Sequence, residues 1–305
     1  MIKKTLCFSN KAYLSLKLNQ LVIKTVDPVS GCEQVLTRPI EDIGVLIIES
    51  HQVTVTSALM SFLLDANVAV VFCDDKHMPS GLFLPLNGNT LQSERFSNQI
   101  SASMPLKKQL WQQTISAKIR NQAAVLKLVN NTEIGNMRKW STLVKSGDTD
   151  NLEGRAAAYY WKNLFQCFPG FVRRQEGEYP NAWLNYGYAI LRAVIARSLV
   201  GSGLLPTLGI HHSNKYNAYC LADDIMEPYR PYVDLLVVDM MKNHELSPEI
   251  TSASKKVLLT VPALDVRLNN LNRPLMVAAS MTTASLAKCY SGESRKLIYP
   301  ELALD

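Results

Sequence analysis

The sequence VLIIESHQVTVTSALMSFLLDANVAVVF, residues 45–72, decides the architecture of the first part of the chain. It begins and ends with short apolar runs, residues 45–48 and 68–72, whose length and β-branched content are typical of buried strands. Between them, residues 56–66 repeat leucine and phenylalanine at helical spacing. The stretch therefore predicts a β-rich unit that contains one helix.

Strand periodicity extends from this stretch toward the start of the chain. Residues 14–18 alternate leucine with polar side chains, and Asn19-Gln20 predicts the turn of a hairpin that continues through residues 21–23. On the other side, residues 85–104 are polar and small, which predicts a linker or a loop that leads into a helix.

Beyond this linker the hydrophobic period becomes helical. Helices are predicted over residues 106–129, 152–165, 181–200, 221–241 with disturbance by proline, and 274–288. We therefore predict an α+β fold, with a β-rich dimerisation domain at residues 1–90 and a larger, all-helical catalytic domain at residues 91–305.

Composition favours a globular protein with a basic second part. The 305 residues are 47% hydrophobic and 19% charged, and six scattered cysteines without a CxxC pair argue against a zinc ribbon. Residues 1–90 have a net charge of −1 and residues 91–305 a net charge of +7. A positive excess such as that of residues 91–305 is what a phosphate-binding surface requires. The first residues turn polar too early for a secretory segment, and the apolar residues 188–205 contain two arginines. We expect a cytoplasmic protein without a membrane span.

One histidine pair stands close to an acidic cluster. His211 and His212 follow a glycine-containing loop, and the cluster Asp223-Asp224-Ile225-Met226-Glu227 comes shortly after. In a helix, Asp224 and Glu227 would share a face because they are three residues apart. Two such carboxylates and one imidazole suit Mg²⁺ or Mn²⁺.

The same residues also allow purely structural interpretations. An acidic cluster at the start of a helix can simply complement the helix dipole, and from spacing alone this interpretation is favoured. Pro228 disfavours helical angles at Glu227, which weakens the shared-face argument. Asp150 and Glu153 have the spacing of a capping box, so Glu153 could serve only as a cap.

Three motifs occur in a fixed order in the second part. They are LEGRAAAYYW at residues 152–161, NYGYAILR at residues 185–192, and GIHHSN at residues 209–214 followed by LADDIMEPYRP at residues 221–231. Together they resemble the CRISPR-associated integrase family, which inserts new spacers into CRISPR arrays. The doubled histidine and the DDIMEP motif are most similar to the branch found in type II systems.

The resemblance implies a metal site. By position, Glu153, His212 and Glu227 match the family's catalytic metal ligands, here expected to hold Mg²⁺ or Mn²⁺. Glutamate stands at the last position instead of aspartate, and its longer arm still offers a carboxylate. Asp224 matches an accompanying aspartate, and His211 is expected to be a neighbour.

Other residues near the motifs are candidates for the surroundings of this site. Tyr186 and Tyr188 could line the cleft, although aromatic residues of an apolar helix are more often core. Arg192 is expected to pair with a carboxylate. Several basic residues could equally contact DNA phosphates or solvent: Arg155, Arg173, Arg174, Lys215, Arg230 and Arg295-Lys296.

The resemblance further implies a reaction and partners. The 3′-hydroxyl of a short double-stranded DNA fragment attacks the edge of a CRISPR repeat by metal-assisted transesterification. Expected partners are a homodimer mate through the β-rich domain, a small companion adaptation protein that bridges two dimers, and in type II systems the effector nuclease with an accessory DNA-end-binding protein. The alternatives are a general metal-dependent nuclease for branched or single-stranded DNA, and a non-catalytic DNA-binding scaffold.

Overall fold

A computed structural model describes residues 3–27, 31–75, 78–166, 168, 170–174, 177, 179–242 and 247–303. The chain divides into two compact units, residues 1–90 and 91–305. Strands dominate the described part of the first unit and helices that of the second, which agrees with the predicted mixed fold class.

Two sheets and one helix form the described part of the first unit. Its elements are β1 (Lys4–Phe8), β2 (Ala12–Lys17), β3 (Gln20–Val26), β4 (Glu33–Pro39), β5 (Ile43–Ile48), β6 (Val53–Val55), α1 (Ser57–Asp65), β7 (Ala69–Cys73) and β8 (Pro79–Phe83). One sheet has the order β1-β5-β7-β8, in which the first three strands are parallel and β8 is antiparallel. The other has the order β4-β3-β2-β6, in which only the β2 and β6 pair is parallel.

The core of this unit takes side chains from both sheets and from α1. Leu14 and Leu21 come from one sheet, Leu46 and Val70 from the other, and Leu59 from the helix, and all five are fully buried. The strand, helix and strand predicted within residues 45–72 are therefore confirmed. Each of them contributes its apolar face to the same core.

The predicted hairpin forms, but its turn lies one residue earlier than expected. Leu18 and Asn19 are the two central residues, with φ angles of 49° and 58°, and Lys17 pairs with Gln20. Two-residue hairpin turns with positive φ at both positions match the twist of the strands that they join. Gln20 therefore belongs to β3 and not to the turn.

Helices make up most of the second unit. They are α2 (Gln92–Ile100), α3 (Met104–Asn130), α4 (Gly135–Leu143), α5 (Leu152–Leu164), α6 (Asn181–Gly201), α7 (Cys220–Met226), α8 (Arg230–Lys242), α9 (Ser252–Leu258) and α10 (Leu275–Tyr290). The prediction of a linker over residues 85–104 misses α2. This helix has a polar anchor: Arg95 Nη1 donates to the Ser202 carbonyl at 2.5 Å, and the Gln99 amide donates to the Leu205 carbonyl at 3.0 Å.

The prediction that this unit is all-helical is wrong. Two antiparallel strands, β9 (Asp265–Leu268) and β10 (Leu271–Pro274), form a hairpin directly before α10. Its turn is Asn269-Asn270, with φ angles of 51° and 62°. Asparagine tolerates these left-handed angles better than most residues, so the pair is itself a hairpin signal.

The helices of the second unit do not resemble membrane spans. None of the described helices is both long enough and apolar enough to cross a bilayer. The 21-residue helix α6 is buried along nearly its whole length and lies against α10, α7 and α8.

Candidate active site

The face of α3 that carries Lys118 brings two of the predicted ligands together. Lys118 Nζ lies 2.7 Å from Glu153 Oε1 and 2.6 Å from Glu227 Oε2. Only 11% of the lysine side chain is exposed. The two glutamates belong to different elements, since Glu153 lies in the first turn of α5 and Glu227 begins a short 3₁₀ turn after α7. Lys118 was not among the residues predicted from the sequence.

Glu153 is not the helix cap that its spacing with Asp150 allowed. Asn151 caps α5 by accepting a hydrogen bond from Gly154 N, and Asp148 accepts from the backbone N–H groups of Leu152 and Glu153. These contacts satisfy backbone donors at the start of the helix. The Glu153 carboxylate is thus left to pair with Lys118.

Glu227 is buried between two cations. Its Oε2 faces Lys118, and its Oε1 lies 2.9 Å from Arg230 Nε. Burial alone would raise the pKa of Glu227, but Arg230 and Lys118 outweigh it and bring the pKa to about 2. Glu227 is therefore ionised at neutral pH.

The expectation that Pro228 removes Glu227 from helical angles is wrong. Glu227 has φ −53° and ψ −45°, and the chain continues through a 3₁₀ turn, Glu227–Tyr229, into α8. Proline is tolerated in the first turn of a helix because its missing N–H has no acceptor there in any case. The proline therefore marks the junction of α7 with α8.

Asp224 organises the histidine loop. Its Oδ2 accepts from Ile210 N at 2.7 Å and from His211 N at 3.0 Å, and its Oδ1 accepts from His212 N at 3.2 Å and lies 2.5 Å from His212 Nδ1. The carboxylate is fully buried. Since both oxygens are taken up by the loop, Asp224 orients His212 and does not extend toward Glu227 as a second oxygen donor. Dipole complementation is thus not the role of Asp224.

The glycine before the pair makes this loop possible. A Cβ atom on Gly209 would lie 2.3 Å from the His212 carbonyl oxygen and 2.7 Å from Asp224 Oδ2. Contacts below 3.0 Å cannot be accommodated without movement of the loop. Glycine at this position lets the backbone fold tightly over the buried aspartate.

The two histidines have different surroundings. The His211 ring stacks on Trp111 of α3 with the ring centroids 4.2 Å apart, whereas His212 meets the same tryptophan edge-on at 5.7 Å. The hydrogen bond to Asp224 raises the pKa of His212, burial opposes this, and the charges of Glu227 and Glu153 raise it further. His212 thus responds electrostatically to both glutamates, and its ring is half-exposed.

Five of the seven basic candidates divide into two groups. Arg173, Arg174 and Arg230 line a cavity of about 290 Å³ together with Lys118 and Glu227. Arg155 and Lys215 are exposed and do not line it; their side chains lie over the rings of Trp140 and Tyr216.

The two tyrosines of the NYGYAILR motif also separate. Tyr186 is fully buried in the core, so it does not line the cavity, whereas Tyr188 does. The Tyr188 hydroxyl donates to Asp234, and the guanidinium groups of Arg173 and Arg230 lie over its ring. Burial raises the pKa of Asp234 to about 6, although hydrogen bonds from Tyr188 and Tyr160 oppose this.

Arg192 pairs with a carboxylate, as predicted. Its Nε lies 2.7 Å from Asp223 Oδ1, and Asn217 donates to the other oxygen of the same carboxylate. The acidic cluster therefore serves three separate purposes: Asp223 binds α6, Asp224 holds the histidine loop, and Glu227 faces Lys118.

The ligand types at this site suit a divalent cation, but the distances between them do not yet enclose one. Over the described ranges, no three histidine, cysteine, aspartate or glutamate side chains lie close enough together to enclose an ion as they stand. Glu153 and Glu227 are nevertheless only a lysine ammonium apart, and the buried Glu227 Oε2 lies 2.6 Å from that ammonium. Two carboxylates beside an imidazole are ligands that Mg²⁺ and Mn²⁺ accept.

Comparisons with known proteins agree with one another. Residues 6–273 match the family model described as CRISPR associated protein Cas1. A CRISPR-associated endonuclease Cas1 of Neisseria meningitidis serogroup C (strain 8013) is 34% identical over 305 residues, which cover 99% of this chain and 97% of that protein.

Solved structures share the fold. A casposase bound to integration product has a TM-score of 0.81 at 21% identity, covering 97% of this chain and 92% of that one. A Cas6-RT-Cas1–Cas2 complex has a TM-score of 0.75 at 17% identity, covering 99% of this chain and 36% of that one. At these identities the two structures support the fold alone.

Proposed function

Because the chain belongs to the Cas1 family and is thus a DNA endonuclease or integrase of CRISPR adaptation, we propose that it joins short DNA fragments to a CRISPR repeat. The reaction is a metal-dependent transesterification at Glu153, His212 and Glu227. One observation carries the proposal: the Glu153 and Glu227 carboxylates, from separate helical segments, meet at Lys118 of α3, the helix whose Trp111 stacks on the histidine loop.

The reaction needs positioning and charge neutralisation more than a protein nucleophile. The 3′-oxygen of the fragment forms a bond to the phosphorus atom at the 5′ edge of a repeat strand, and the bond from that phosphorus to the 3′-oxygen of the flanking nucleotide breaks. The attacking hydroxyl gives up its proton, and the departing oxygen takes one up. The number of phosphodiester bonds is unchanged, so no nucleotide has to supply energy.

Mg²⁺ or Mn²⁺, when bound by Glu153, His212 and Glu227, supplies Lewis-acid polarisation of the phosphodiester. The protein's own part is to keep its ligands in the required protonation states. Arg230 and Lys118 keep Glu227 ionised. When the single ring proton of neutral His212 is on Nδ1, this N–H donates a hydrogen bond to Asp224 and Nε2 is the free nitrogen donor.

Positive charge beside the glutamates provides a place for the DNA backbone. Arg173, Arg174 and Arg230 line one cavity with Glu227, and guanidinium groups bind phosphate oxygens in a bidentate manner. The excess charge of residues 91–305 supports the same assignment. We therefore assign the target phosphodiester to this cavity, and Arg155 and Lys215 to more distant backbone contacts.

The assembly is part of the proposal. Residues 1–90 form the dimerisation domain and residues 91–305 the catalytic domain, and a Cas2-like companion protein bridges two dimers. Membership of the Cas1 family carries this part of the proposal, and the fold shared with a chain of a complex that contains Cas1 and Cas2 is compatible with it. The doubled histidine and the DDIMEP motif support the type II branch, in which an effector nuclease and an accessory DNA-end-binding protein would take part.

A strand-joining assay tests the proposal. A linear duplex with free 3′-hydroxyls is mixed with a plasmid that carries the repeat, the companion protein and Mn²⁺, and the joined product is measured on a gel. We expect joining by the natural sequence, none with a 3′-dideoxy fragment, and a loss of at least about 100-fold in His212→Ala and Glu227→Gln. Cleavage of branched or single-stranded DNA without joining would instead support a general nuclease.

Glutamine is preferred to alanine at position 227 for a structural reason. Alanine would leave Lys118 and Arg230 partly buried without their shared partner, which costs about 3–5 kcal/mol. Glutamine keeps the volume and one acceptor oxygen. Circular dichroism of both variants shows whether they remain folded.

A further inference from the structure

Lys118 links the two carboxylates of the candidate active site. No sequence motif pointed to this residue, which lies in the middle of α3. Its ammonium group contacts Glu153 Oε1 and Glu227 Oε2 at 2.7 and 2.6 Å, so these oxygens are no more than about 5.3 Å apart, the sum of the two distances. Ligand oxygens on opposite sides of Mg²⁺ are about 4.2 Å apart, twice the usual bond length. The lysine thus holds them near the separation that a shared cation requires.

The bridge is not an incidental surface ion pair. Exposed pairs contribute little because water screens them, but Lys118 and Glu227 are both buried and Glu153 is only partly exposed. A buried lysine is rare without partners, and this one has two. It also belongs to a helix face on which Trp111 stacks against the histidine loop and Asn121 donates to the Pro228 carbonyl.

We propose that Lys118 is a positioning residue that clamps Glu153 and Glu227 and competes with the divalent cation for their carboxylates. The inference rests on the proposed metal site. Its physical basis is that an ammonium group and a divalent cation both require the same two negatively charged oxygens, so that the binding of one disfavours the other. The clamp therefore sets the cation concentration at which the site fills.

Metal affinity tests the clamp without relying on activity. Mn²⁺ binding to the full chain is measured by calorimetry for the natural sequence, Lys118→Met, Lys118→Arg and the control Lys127→Met, an exposed lysine of the same helix. Removal of a positive charge next to the cation should lower the Kd of Lys118→Met at least about tenfold. Lys118→Arg, which keeps the charge, should return the Kd toward that of the natural sequence. Lys127→Met should leave it unchanged.

A labelling experiment on the natural sequence does not depend on the folding of any variant. Acetylation of each lysine is followed by mass spectrometry with and without Mn²⁺. We expect Mn²⁺ to increase acetylation of Lys118 severalfold and to leave Lys127 unaffected, because the cation releases the ammonium group from its two partners.

The outcomes separate this inference from the proposed function. If the natural sequence binds Mn²⁺ but Lys118→Met binds it no more tightly, or if Lys118→Arg tightens binding as much as methionine does, the competition is refuted and the metal site stands. Unchanged labelling of Lys118 on Mn²⁺ binding also refutes it. A natural sequence that binds no Mn²⁺ overturns the metal site and the clamp together.

Discussion

Replacement of Asp224 by asparagine should remove the ability of His212 to bind a metal, although His212 itself is unchanged. The carboxylate receives four contacts, two on each oxygen. Asparagine has nearly the same shape but only one acceptor oxygen. That oxygen is best placed toward the N–H groups of Ile210 and His211, so the amide NH₂ group then faces His212.

Two consequences follow from this exchange. The His212 backbone N–H faces another donor, and the loss of one hydrogen bond to a charged group, with weakening of the others, should lower the free energy of unfolding by roughly 3 kcal/mol. The amide can donate to His212 Nδ1 only if that nitrogen gives up its proton, which moves the proton to Nε2. A protonated Nε2 cannot bind a metal.

Nitrogen NMR of histidine-labelled protein reads this tautomer directly, and the five histidines of the chain keep the spectrum simple. We expect the Nε2–H form in Asp224→Asn and a 10- to 100-fold loss of strand joining, the usual effect when the partner of a metal-binding histidine is removed. Full joining activity in a variant with the Nε2–H form would refute the assigned role of His212. An unchanged tautomer would refute the role of Asp224.

Two further perturbations test other parts of the site. Glu227 has a pKa depressed from 4.5 to about 2, so its ionised form stabilises the fold above pH 4.5 and this contribution is lost as the pH falls toward 2. In chelator, the difference in urea unfolding free energy between the natural sequence and Glu227→Gln should therefore shrink by roughly 2 kcal/mol between pH 6 and pH 3, and a constant difference would contradict the paired state of Glu227. Arg174→Gln should weaken DNA binding and reduce the slope of log affinity against log salt by about 1. The control Lys139→Gln, at an exposed position of α4 outside the cavity lining, should change neither. Equal slopes in the two variants would show that the cavity is not a phosphate site.

Local patterns in the sequence predicted the elements that bury apolar side chains. The strands around α1 and the helices α3, α5, α6 and α10 follow from runs and periods of hydrophobic residues, because each buries one face or its whole surface. The helix α2 was missed because it is polar and shows no such run or period of hydrophobic residues. The second unit holds α2 through Arg95 and Gln99, which contact carbonyl groups more than 100 residues away.

In the candidate site, too, local motifs predicted some residues, whereas others depend on contacts between distant parts of the chain. Motifs predicted Glu153, His212 and Glu227, and the fold brings the two glutamates together. Lys118 carried no local signal, since it is one of several lysines in an amphipathic helix and its partner Glu153 is 35 residues distant. The separate tasks of Asp223, Asp224 and Glu227 were also out of reach, because they depend on which neighbouring element each carboxylate meets.

The central claim is that Glu153, His212 and Glu227 share one divalent cation, and anomalous diffraction from crystals grown with Mn²⁺ tests it most directly. The account predicts a single strong anomalous peak between the two carboxylates and the His212 ring, within about 2.3 Å of an oxygen from each glutamate and of His212 Nε2. A peak that lies elsewhere in residues 91–305, or none at a Mn²⁺ concentration that supports strand joining, would contradict it.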